Sequence, residues 1–182
     1  MRPSRLAAAL LAAAFPFAVH AAECDALLAT HLASDLALPF DAFDQDDHQG
    51  WRVLADAGCE AQAATLIAAY AARQAHPHPV LAWHRAQMLA RSGQTSDAIA
   101  AARGTLHPAG ADDASGFDWN DYANATIAFL QGDKAALQAN RDRLAEAAAT
   151  SEMNRPNLRS ADRLLRCFGQ AYKIAYVCPA TP

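Results

Sequence analysis

Apolar residues recur along this chain at helical spacing. Ala63, Leu66, Ile67 and Tyr70 form one stripe; Tyr122, Ala125, Thr126, Phe129 and Leu130 form a second; Leu158, Ala161, Leu165, Phe168 and Tyr172 form a third. No stretch shows sustained two-residue alternation or a β-branched run, so the pattern predicts an all-α protein whose stripes build a core. Proline, glycine and polar clusters interrupt the stripes at 39–50, 76–79, 107–116 and 150–156, which are the expected inter-helix loops. Asp118, three positions before Asp121, is expected to cap one helix start, and Thr95 another.

The helical pattern repeats. Gly58, Gly93 and Gly132 lie 35 and 39 residues apart, each between two amphipathic stretches. Five positions after each glycine stands an apolar residue, Ala63, Ala98 or Leu137; seven before it stands Trp51, Ala86 or Ala125. Small residues at such places let paired helices approach closely. Single hairpins of this size cannot bury their apolar faces alone, so three of them are expected to stack and share one core.

From Val80 to Pro108 the chain resembles a tetratricopeptide repeat, with Ala86, Gly93, Ala98, Ile99, Leu106 and Pro108 at or near the signature places. The resemblance extends more loosely over residues 45–148. Trp51 replaces the usual small residue, Arg141 stands where an aromatic is usual, and the segment before Asp118 is stretched. The resemblance implies a tetratricopeptide-like α-solenoid of antiparallel hairpins, flanked here by one additional helix at each end. It also implies a concave groove lined by the first helix of each hairpin. In that register His48, Arg52, Trp83, Gln87, Arg91, Tyr122 and Thr126 face a ligand, with burial in the core as the competing placement for Trp83 and Tyr122. The lysine and asparagine pattern of the family's carboxylate clamp is absent, so that specificity does not carry over.

The N-terminus changes the compartment. Arg2 and Arg5 precede an apolar run from Leu6 to Val19, followed by small residues at Ala21 and Ala22. This is the three-part pattern of a secretory signal, with cleavage expected after Ala21, leaving 22–182 as a single domain. The run is shorter than the ~20 residues that cross a bilayer and contains Pro16, so no membrane insertion is expected after cleavage. All four cysteines remain in the mature chain, an even count that in an exported protein predicts two disulfides. Of three possible pairings we favour Cys24 with Cys59, because a helix and its returning partner bring those positions together. Cys167 with Cys178 then requires the last helix to stop early, since eleven helical residues would span about 16 Å.

Thirteen basic and nineteen acidic side chains would remain after cleavage, a formal charge of −6, which disfavours a nucleic-acid partner. The distribution is polar: residues 22–133 carry five basic and fifteen acidic side chains, residues 134–182 eight and four. Arg159, Arg163 and Arg166 share one helical face, open either to solvent or to an acidic partner.

Candidate chemistry is sparse. The run Asp41, Asp44, Asp46, Asp47 fails as a calcium loop, because Gln49 and Ala55 occupy the glycine and bidentate glutamate positions; it reads as a solvated linker. His76, His78 and His84 lack a carboxylate or thiol to complete a metal set, and no zinc spacing involves the cysteines. No nucleophile motif, metalloprotease motif or phosphate loop is present, so neither a cofactor, a metal nor enzyme activity is expected. The leading expectation is a periplasmic or secreted adaptor that binds a peptide or protein segment in the groove. An inhibitor or immunity-type protein, acting on an envelope or secreted enzyme through acidic loops such as Asp112 and Asp113, is the alternative. An unrecognised hydrolase ranks third and would need titratable residues converging in a deep pocket.

Overall fold

The computed structural model describes residues 15–108 and 116–180. Every regular element among them is helical. Helix α1 (Phe15–Ser34) continues into a 3-10 turn (Asp35–Ala37) and, after Pro39, a π-helical turn (Asp41–Gln45). Three hairpins follow: α2 (Gly50–Asp56) with α3 (Glu60–Ala72), α4 (Pro79–Arg91) with α5 (Thr95–Arg103), and α6 (Trp119–Gln131) with α7 (Lys134–Thr150). A 3-10 turn (Glu152–Asn154), α8 (Arg155–Arg166) and the short α9 (Tyr172–Ala175) complete the fold. From α2 to α8 each helix packs on the next, so the hairpins stack in chain order.

The repeated positions have a common structural basis. Gly58, Gly93 and Gly132 have φ of +79°, +81° and +74°, the left-handed conformation that ends a helix and that other residues rarely adopt. Ala63, Ala98 and Leu137 are fully buried, as is Ala125; Trp51 and Ala86 are 4 % exposed. The three stripes enter one interior, joined by Phe43, Leu54, Leu81, Leu144 and Leu164. Phe43, from the π-helical turn, stacks on Tyr70 of α3 with ring centroids 3.6 Å apart. Tyr70 also donates a 2.9 Å hydrogen bond to the Leu38 carbonyl, so the segment after α1 is sealed against the first hairpin.

Side chains cap the starts of α4, α6 and α7. Asp118 accepts from the Asp121 amide at 3.1 Å, as its spacing predicts, and Asp133 accepts from the Ala136 amide at 2.9 Å, a cap the sequence reading did not single out. Thr95 does not cap: it is the first residue of α5, and its hydroxyl donates to the Gly93 carbonyl instead. Helix α1 begins upstream of Cys24 and runs through the expected cleavage point, so cleavage after Ala21 would leave its portion from residue 22 onward.

Both favoured disulfides are present. Cys24 and Cys59 lie 5.4 Å apart at Cα and join α1 to the start of α3. Cys167 and Cys178 lie 6.1 Å apart, because α8 ends at Arg166 and the chain turns back through α9. Two such bridges mark an oxidising, extracytoplasmic setting. No described helix is long and apolar enough to cross a membrane.

The two bridges close loops of different length, 35 and 11 residues in separation. Replacing Cys24 and Cys59 together by serine is expected to lower unfolding free energy by about 4 kcal/mol, and replacing Cys167 and Cys178 by about 3 kcal/mol. Urea titration of the two double variants against the oxidised parent measures both, and equal losses would contradict the loop-length ordering.

Candidate functional site

Five of the side chains around the candidate site are placed by the first helices of the stacked hairpins. Trp51 and Arg52 come from α2; His84, Gln87 and Arg91 come from α4 at spacings of three and four, and therefore share one face. The turn after α8 lays Tyr172 and Tyr176 across that face. These residues, with Asp47, Ala55, Asp56 and Met88, line a cavity of about 330 Å³.

A buried acid lies behind Trp51 and His84 and holds them in place. Asp44, with no solvent exposure, accepts hydrogen bonds on Oδ1 from Trp51 Nε1 at 2.9 Å and pairs there with His84 Nδ1 at 2.7 Å; Gln45 donates to Oδ2. Burial alone raises this carboxyl's pKa, but the hydrogen bond and charge of His84, with the Trp51 and Gln45 donors, outweigh it and hold the group below the ordinary carboxylate range. Arg52 Nε donates to the Asp44 backbone carbonyl at 2.7 Å, and its guanidinium lies 4.5 Å from the Trp51 ring centroid.

A second buried acid fastens the C-terminal turn. Glu60, at the first position of α3, is 5 % exposed and receives Lys173 Nζ of α9 at 2.5 Å and, more distantly, Arg91 Nη2 at 3.6 Å. These are charge contacts rather than well-directed hydrogen bonds, so Glu60 Oε1 and Arg91 Nε stay without hydrogen-bond partners. Gln87 Nε2 donates to Tyr122 Oη at 3.3 Å and Tyr176 Oη at 3.2 Å. Burial first, then the neighbouring phenols, push Tyr122 well above the ordinary phenol value; burial and Tyr176 do the same to Tyr172. Both therefore remain neutral.

Of the residues expected along a groove, Arg52, Gln87 and Arg91 do line one cavity. Trp83, Tyr122 and Thr126 do not serve as an open surface: they are 3 %, 4 % and 2 % exposed. The Trp83 indole packs edge-on against Trp119 and against Tyr122, each with centroids 5.0 Å apart. The turn after α8 covers what a bare stack of hairpins would leave open at Tyr122, through Tyr176 and their shared Gln87. His48 is exposed, its amide donating to Asp46 in the turn before α2.

The three histidines do not gather. His78 caps α4 and stacks on Phe40, His76 is exposed, and His84 pairs with Asp44. Among the described residues the one histidine, cysteine and acid group close enough for a metal is His20, Cys24 and Cys59, and both of its thiols are spent in a disulfide. The acidic run 41–47 is not uniformly solvated: Asp44 turns inward and becomes the site's anchor. Its signal in the sequence is hidden by three neighbouring aspartates that carry no such role. Asp112 and Asp113 lie outside the described residues. Arg159 and Arg166 are exposed and Arg163 is half-buried on α8, all lining a separate cavity.

A scan against protein-family models, a search of curated proteins and a search of solved structures each return no match.

Replacing Asp44 by alanine is expected to cost about 3 kcal/mol, because the Trp51 N–H and the His84 ring lose a buried acceptor together. A carboxyl held below its unfolded value contributes stability fully above the ordinary carboxylate range and loses it as pH falls through the folded value. The stability gap between the parent and the Asp44→Ala variant should therefore narrow between about pH 5 and about pH 2. Urea midpoints measured across that range give the test; a constant gap would mean that ionised Asp44 contributes nothing.

Proposed function

We propose that the chain is exported behind a cleaved leader spanning residues 1–21 and acts in the periplasm, or beyond it, as a tetratricopeptide-like binding protein. It captures a peptide or protein segment in the cavity bounded by α2, α4 and the C-terminal turn. The observation that carries this reading is the meeting of Arg52, Gln87 and Arg91 with Trp51, His84, Tyr172 and Tyr176 around one open space of about 330 Å³.

Aromatic and arginine side chains are those that most often anchor protein interfaces. Both are preorganised here. Arg52 is held by a backbone carbonyl and an indole face, and Arg91 is drawn toward Glu60. Asp47 and Asp56 are exposed, opposite in sign to the two arginines, so the lining suits a peptide carrying polar and mixed charged groups. No serine, threonine or cysteine lines the cavity, which favours recognition over nucleophilic chemistry.

A photo-crosslinking amino acid placed at exposed Asp56 is expected to trap a discrete envelope partner in the oxidised protein. The same probe at exposed Ala100 on α5 should not. Adding Arg52→Ala and Arg91→Ala should reduce the Asp56 adduct at least tenfold, in keeping with loss of one or two interface anchors. Undiminished trapping by the double variant, with its folding checked by circular dichroism, would refute the cavity as the binding site.

A further inference from the structure

The C-terminal turn has two sides. Tyr172 and Tyr176 face the cavity described above, whereas Val177, Cys178, Pro179 and Ala180 form one wall of a second cavity of about 440 Å³. Arg159, Arg163 and Arg166, on successive turns of α8, form the other wall with Asp162. We propose that this face is a docking surface for an anionic phospholipid bilayer, its arginines engaging lipid phosphodiesters while Val177 enters the headgroup boundary.

The charges on this face are uncommitted. Asp162, the one carboxylate in the lining among the described residues, accepts Arg141 Nε at 2.7 Å, and among those residues Arg159 and Arg163 have no ion pair or hydrogen bond. Arg166 Nη1 donates to the Pro179 carbonyl at 2.7 Å and more weakly to Cys178 at 3.4 Å. Those bonds orient its guanidinium and leave its charge intact. The disulfide between Cys167 and Cys178 holds the Val177–Ala180 wall against α8. Three guanidiniums on one face suit phosphodiester oxygens, which each can engage in pairs.

One feature favours a bilayer over an acidic protein. Val177 and Ile174 are 65 % and 55 % exposed, and Val177 lines the same cavity as the arginines. An apolar side chain beside unpaired cations is the composition of surfaces that settle at the headgroup and acyl boundary, whereas an acidic peptide would leave Val177 in water. The charge polarity of the chain also orients it. Residues 134–182 carry eight basic and four acidic side chains, and the acid excess lies in residues 22–133. Repulsion of that acidic part fades beyond about 8 Å at physiological salt, so the basic end can approach an anionic surface alone.

The test is sedimentation of the oxidised exported protein with vesicles of equal parts phosphatidylglycerol and phosphatidylcholine. Binding is expected to those vesicles, not to phosphatidylcholine alone, and to disappear in high salt. Arg159→Gln should weaken it about fivefold and the Arg159→Gln, Arg163→Gln pair about thirtyfold. Both positions changed to lysine should retain most of it, and Val177→Ser should weaken it with every charge retained. An unchanged melting curve for the lysine pair and for Val177→Ser guards against misfolding. Equal sedimentation with neutral vesicles, or full binding by the glutamine pair, would overturn the proposal. So would capture of polyglutamate or inorganic phosphate by these arginines without vesicle binding.

Discussion

An interior rich in alanine constrains everything else in this molecule. Thirteen of the thirty-three buried apolar residues among those described are alanine, which lets helices approach closely but removes little apolar area per residue from water. The stack is therefore held at its ends by other means. Cys24–Cys59 and the stacking of Phe43 on Tyr70 tie the N-terminal segment to the first hairpin. Cys167–Cys178, Lys173 on Glu60 and the Gln87 amide hold the C-terminal turn across α4.

Those end ties also make the site. Asp44 is carried inward by the turn that buries Phe43, and once buried it requires the donors that Trp51 and His84 supply. Fixing those two side chains gives the cavity its floor. Glu60 plays the corresponding part at the other edge, where its charge brings α3, α4 and α9 together. The packing of the fold and the shape of the cavity thus draw on the same buried acids, so a change at Asp44 or Glu60 acts on both.

The C-terminal turn divides the surface. On one side it bounds one cavity; on the other it walls the arginine face of α8. Without this turn the Tyr122 layer would lose the cover that Tyr176 gives it through Gln87. With it, the accessible chemistry shifts from the middle of the stack toward α2 and the first half of the molecule.

Helical class, hairpin repeat and cysteine pairing were legible in the residue order because each depends on local spacing. A 3.6-residue period sets which face is apolar, a glycine sets where a helix can reverse, and helix rise per residue shows that Cys167 can meet Cys178 only where the helix between them stops. Arg52, Gln87 and Arg91, which the tetratricopeptide-like register sets on one face, line one cavity. Trp83, Tyr122 and Thr126 lie on the same register, but whether such a face meets solvent depends on segments distant in the chain: Trp119 and Tyr122 pack on Trp83, and the turn carrying Tyr176 folds back over Tyr122. Asp44 shows the same limit: four aspartates in one short run are alike in sequence, and only the packing of Phe43, Trp51 and His84 around one of them decides which is buried and which remain at the surface.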